Sequence, residues 1–120
     1  MSGSGFESTV NSVTVTAAAD HVHVSAPVLS PFPEIGSMAS RACLDMALFC
    51  NARIRGARLA VHNNSLVAES RLHSGQITAE WLTDAARSVA AACHSTAPLL
   101  HVLADHSEAA DAYCAYFLET

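Results

Sequence analysis

Arg58-Leu-Ala-Val-His-Asn-Asn-Ser-Leu-Val-Ala-Glu-Ser-Arg-Leu72 is the stretch that decides the fold. Its two halves, Arg58–Val61 and Leu66–Leu72, read as short strands joined around His62-Asn-Asn-Ser65. Asparagine tolerates positive φ, so Asn63-Asn64 predicts a tight turn between antiparallel strands. Upstream, Arg53-Ile-Arg-Gly56 is a loop. Before it, Ile35, Met38, Ala39, Ala42, Cys43, Met46, Phe49 and Cys50 recur at three- and four-residue steps. That spacing predicts an amphipathic helix, beginning near Pro33 or Glu34 and ending near Asn51.

Downstream of the hairpin, Thr78 is a natural N-cap and Glu80 sits in the first helical turn. Trp81, Leu82, Ala85, Ala86, Val89, Ala90 and Cys93 give a second apolar stripe, which Pro98 should interrupt or kink. Ser107 is expected to cap a last helix carrying Tyr113, Tyr116 and Phe117. Toward the N-terminus, Ser12–Thr16 and His21–Ala26 both alternate with period two, which predicts a second hairpin. Residues 1–9 are polar and read as a flexible leader. The expected order is therefore ββ-α-ββ-α-α, a single α+β domain over residues 10–120. An antiparallel β-sheet would carry the helices packed on one face.

Composition narrows the function. The chain has 120 residues, 51% of them hydrophobic and only 14% charged, so it can form a core and is too apolar for a disordered tail. Lysine is absent, the six basic residues are all Arg, and acids outnumber them by five. That balance lacks the basic face a nucleic-acid binder needs. No apolar run approaches the roughly 20 residues of a membrane span. Four Cys without a secretion signal read as reduced thiols of a cytoplasmic protein.

No catalytic constellation emerges, and no enzyme is expected. His21-x-His23 is the best metal half-site, since side chains two apart on a strand share a face, but no neighbouring motif completes it. Cys43 and Cys50 would stand about 10 Å apart along one helix, too far to share a metal. Cys93-His94 point in different directions on a helix, and Asp105-His106-Ser107 are contiguous and cannot converge as a triad. His101 and Asp105 have the spacing of a helix-stabilising pair. Glu69 and Glu80 have no evident carboxylate partner. No metal and no cofactor are expected. Arg53, Arg55 and Arg58 form the one basic cluster, suited to a phosphate or an acidic segment. Seven His would carry the formal charge from −5 past zero if all were protonated.

The stretch from Leu48 to Ala92 resembles the class I chaperones of bacterial type III secretion, the Tir chaperone CesT group, and the related YbjN-like domains. Leu48-Phe-Cys-Asn51 is similar to the family's helix end, Gly56 to its loop glycine, Leu59–Val61 and Leu66–Leu72 to its hairpin, and Ile77–Leu82 to the start of its next helix. The family's first amphipathic helix has no counterpart. The resemblance implies a cytoplasmic homodimer that binds the N-terminal segment of a secreted effector and keeps it secretion-competent, without a catalytic group, a nucleic acid or a membrane. On that reading Ala39, Ala42, Cys43 and Met46 would form the dimer face, because small side chains allow close helix approach. Val13, Val15, Val22, Val24, Leu59 and Val61 would contact the client, which adds a strand or docks a short helix. The alternatives are a regulatory or scaffold domain of the same fold with no client, or a histidine-based metal-binding protein.

Overall fold

Period-two alternation builds most of the sheet. The structure, a computed structural model, describes residues 6–10, 13–73, 75 and 77–118. Among these residues there are five strands: β1 (Phe6–Val10), β2 (Val13–Ala17), β3 (His21–Leu29), β4 (Arg58–His62) and β5 (Ser65–His73). They form one antiparallel sheet in the order β1-β2-β3-β5-β4. The α+β architecture expected from sequence is the architecture observed.

Strand β1 corrects the leader expected over residues 1–9, of which residues 1–5 lie outside the described residues. Phe6–Val10 pairs along β2 from Phe6 opposite Ala17 to Val10 opposite Val13. Phe, Thr and Val are good strand formers, and ladder pairing with a neighbour stabilises a run that its composition alone makes look unstructured. The hairpin of β4 and β5 turns as expected, with Asn63 at φ 49° and Asn64 at φ 63°. Those values are the left-handed pair that a two-residue primed turn requires.

Among the described residues three helices accompany the sheet: α1 (Met38–Asn51), which connects β3 to β4, then α2 (Ala79–Asp105) and α3 (Ser107–Tyr113) after β5, the last continued by a π-helical turn, Cys114–Leu118. Helix α1 starts later than Pro33 or Glu34. The Ser37 hydroxyl accepts from the Ser40 N–H at 3.1 Å, and Gly36 at φ +92° reverses the chain just before it. Thr78 caps α2 as expected, accepting from the Trp81 N–H at 3.0 Å. Helix α2 does not break at Pro98. The fixed φ of proline is itself helical, and Leu100 and Leu103 beyond it are both buried. The Ser95 and Thr96 hydroxyls donate to the Ala92 carbonyl at 3.2 and 2.6 Å, the local back-bonding that accommodates a bend. At α3 the cap is His106, with no side-chain cap bond, so Ser107 is the first helical residue rather than the cap.

Val24, Ala26 and Val28 of β3, Leu59 of β4, and Leu66 and Ala68 of β5 turn toward the helices and are buried. Ala42, Cys43 and Ala47 of α1 and Ala85, Val89 and Ala92 of α2 meet them. Small side chains set this core. Cys43 lies close enough for its thiol to donate to the Leu100 carbonyl at 3.7 Å. One side chain then closes a sheet edge. Asn51, the last residue of α1, accepts from the Leu59 N–H at 2.7 Å and donates to the Leu59 carbonyl at 3.1 Å. Its amide thus takes the place a neighbouring strand would have on the outer side of β4.

Candidate functional site

The strand alternation that sends Val24 and Ala68 to the helices sends His23 and Glu69 to the opposite face of the sheet. Four side chains from three strands gather there. Glu69 Oε1 accepts from His23 Nε2 at 2.8 Å and from His62 Nε2 at 2.7 Å. Its other oxygen, Oε2, accepts from Arg58 Nε at 2.8 Å. The two imidazoles stand edge to face, with ring centroids 6.2 Å apart. Glu69 is only 1% exposed although it lies on the face without helices.

Register explains how. Arg58 is directly opposite Glu69, but His62 is opposite Ser65, four residues away along β5. At about 3.3 Å per residue a flat hairpin would hold them about 13 Å apart along the strand. The His62 and Glu69 side chains therefore meet by leaning toward each other along the strands, past the small Ala60 that lies between Arg58 and His62 on the same side. Burial pushes the Glu69 carboxyl up, and the bonds from His23, Arg58 and His62 outweigh it and hold the group at about 2. A buried carboxylate with three donors is a charged anchor rather than a general acid at neutral pH.

The second feature is a groove of about 770 Å³ between α1 and α2. Met46, Phe49, Ala91, Ala92 and Leu99 give it an apolar lining, and Arg53, Arg55 and Arg87 stand around it. Beside it, Leu48 is 70% and Val102 49% exposed. Arg53 lies over the Phe49 ring, 4.7 Å from its centroid. Among the described residues Arg58 alone of the arginines pairs with a carboxylate. The groove arginines thus have no carboxylate partner among the described residues, in a chain of net charge −5.

These features regroup the residues singled out from sequence. Ala42 and Cys43 are fully buried in the chain's own core, so they cannot form a dimer face, and Ala39 and Met46 are half-buried. Val13, Val24 and Leu59 are likewise core residues, which removes them as client contacts, while Val15 and Val22 are half-buried against that core. Alternation had two faces to choose from, and the apolar one took the helices. Val61 alone of that set is exposed. The basic cluster is split, Arg58 going to the sheet face and Arg53 and Arg55 to the groove. The His21-x-His23 pair also separates: His21 Nδ1 pairs with Asp20 at 2.7 Å, while His23 reaches Glu69. His101 and Asp105 form the expected i,i+4 pair, long at 3.6 Å and exposed. The Cys93 thiol donates to the Pro27 carbonyl at 3.1 Å, and burial raises the Cys43 thiol to about 11 and those of Cys50 and Cys93 above their usual value. None of these three is an activated thiolate.

Sequence reasoning missed the role of Glu69 and His62. The available signal was a charged residue in mid-strand, on the face opposite the apolar Leu66 and Ala68.

The fold has a solved counterpart. A crystal structure described as an uncharacterized protein from Methanothermobacter thermautotrophicus superposes with a TM-score of 0.53 at 14% identity. The match covers 82% of this chain and 88% of that one. At that identity the likeness concerns the fold alone. No family model and no curated protein matches the chain. No helix among the described residues is long and apolar enough to cross a membrane.

Proposed function

We propose that the chain is a non-enzymatic binding module of the type III secretion chaperone kind, cytoplasmic and homodimeric, whose client is an extended N-terminal segment of an effector. The observation that carries this reading is the α1–α2 groove, apolar along its floor and lined by three arginines with no carboxylate partner among the described residues. Such a surface suits an apolar segment flanked by acidic residues, because burial of the apolar side chains supplies affinity and Arg supplies orientation. The residues that carry the resemblance support it as well. Asn51 closes the β4 edge, Gly56 takes φ +79°, and Thr78 opens α2, so each has a structural task in the segment from α1 to α2.

The corrected surfaces move both contacts onto the outer side of the helices. Leu44 and Leu48 on α1, with Leu99 and Val102 on α2, are exposed apolar residues that a twin subunit or the client would cover. Co-expression with proteins encoded beside its gene tests the reading. A chaperone of this kind protects the N-terminal segment of one of them from protease, and light scattering gives the mass of a dimer bound to one client. A monomer at tens of micromolar that protects no such segment contradicts it.

A further inference from the structure

The His23, His62 and Glu69 cluster has a composition that a plain hydrogen-bond network does not require. Three strands deliver three different donor atoms to one point: two imidazole nitrogens and one carboxylate oxygen, all within 4.8 Å of one another. Both imidazoles present the same nitrogen, Nε2, to the same oxygen. In both contacts Nδ1 is the nitrogen left out. The tautomer of each ring is therefore free to leave Nε2 as a lone-pair donor. The fourth member, Arg58, holds the oxygen of Glu69 that faces away from the rings. It has the place of an outer partner that fixes a ligating carboxylate.

We propose that His23, His62 and Glu69 form a binding site for a single divalent transition-metal ion of the zinc type. Two imidazoles and a carboxylate are the mixed nitrogen and oxygen set that suits zinc, cobalt or nickel rather than calcium or magnesium. Bonds of about 2.0–2.1 Å to a tetrahedral ion would place the donors about 3.3–3.4 Å apart. The nitrogen–oxygen pairs stand at 2.7 and 2.8 Å. An entering ion thus replaces two hydrogen bonds by widening each nitrogen–oxygen pair about half an ångström, while the two Nε2 atoms, which lie within 4.8 Å of each other, take up the same ligand spacing by side-chain rotation. Side-chain exposure of 44% at His62 gives the ion a way in and leaves its remaining position to water. Glu69, at 2% side-chain exposure, forms the floor. The site lies on the face away from the helices, so it stands or falls independently of the client reading.

The test uses the untagged full chain, stripped with chelator and titrated with zinc against a chromogenic competitor, and with cobalt followed by its visible d–d bands. The expected result is one equivalent of zinc, and cobalt bands of tetrahedral intensity. His62→Ala and His23→Ala should each weaken zinc binding about tenfold or more, while His94→Ala and His101→Ala should leave it unchanged. His62 is exposed, so its variant folds if any does, and far-UV circular dichroism confirms this. Failure to bind zinc at micromolar concentration, or equal binding by the His62→Ala and His94→Ala proteins, overturns the proposal.

Discussion

Glu69→Gln removes one charge and almost no volume, so its effect isolates the electrostatics of the sheet-face cluster. The carboxyl is held at about 2 against an ordinary 4.5. That difference corresponds to about 3 kcal/mol of native-state stabilisation at neutral pH. The sign follows from proton counting. Between the two values the unfolded chain binds the proton and the native chain does not, so stability contributed by Glu69 is complete above about 4.5 and is lost as pH falls toward about 2. Near pH 3 only about 1 kcal/mol of it should remain. The assay is urea unfolding of parent and variant, both in chelator, followed by circular dichroism near pH 7 and again near pH 3. Taking the difference at each pH cancels, to first order, other groups that titrate alike in both proteins. The expected cost is about 3 kcal/mol near neutrality, or about 10 °C in Tm for a chain of this size, shrinking by about 2 kcal/mol in acid. A cost below about 1 kcal/mol at neutral pH, or one that is the same at both pH values, would refute the reasoning. It would mean that the cluster behaves as a solvent-screened surface pair.

Three further substitutions probe the frame. Asn51→Ala strips both bonds from the Leu59 backbone and should cost about 1–3 kcal/mol by chemical denaturation; it should also promote self-association, since the β4 edge is then open. Gly56 sits at φ +79°, and an added Cβ would stand 2.6 Å from the Ser88 hydroxyl oxygen. Gly56→Ala should therefore lower stability by about 1–2 kcal/mol, read as a lower Tm. Pro98→Ala should restore a missing N–H inside α2 and stabilise the protein by about 1–3 kcal/mol, with unchanged helicity because the helix already runs through.

Local chemistry was legible where a few adjacent residues decide the outcome. The Asn63-Asn64 turn, the Thr78 cap and the stripes of α1 and α2 are cases of this kind. Pairing between distant segments was not. Phe6–Val10 is a strand only because β2 lies beside it, and α2 survives Pro98 because Leu100 and Leu103 are held in the core. Face assignment failed for the same reason. Alternation along β3 separates Val24 from His23 but does not say which side the helices cover, so core valines looked like contact residues. The Glu69 cluster was the least legible feature. Its members are 46 and 7 residues apart in sequence, and His62 reaches Glu69 only by leaning along the strands from a position opposite Ser65. The groove depends on how α1 and α2 pack, although two of its arginines, Arg53 and Arg55, stood in the sequence cluster suited to a phosphate or an acidic segment.

The central claim, that the α1–α2 groove receives an apolar, acid-flanked segment, is tested most directly by charge reversal at its rim. The measurement is fluorescence anisotropy of a labelled peptide with alternating Leu and a flanking acidic run, titrated with the parent chain and with the Arg55→Glu/Arg87→Glu variant. Both arginines are exposed, so the variant should keep its fold. The account predicts saturable binding by the parent that weakens at least about tenfold in the variant, and that falls with added salt. Absence of binding by the parent, or equal affinity in both proteins, would contradict it.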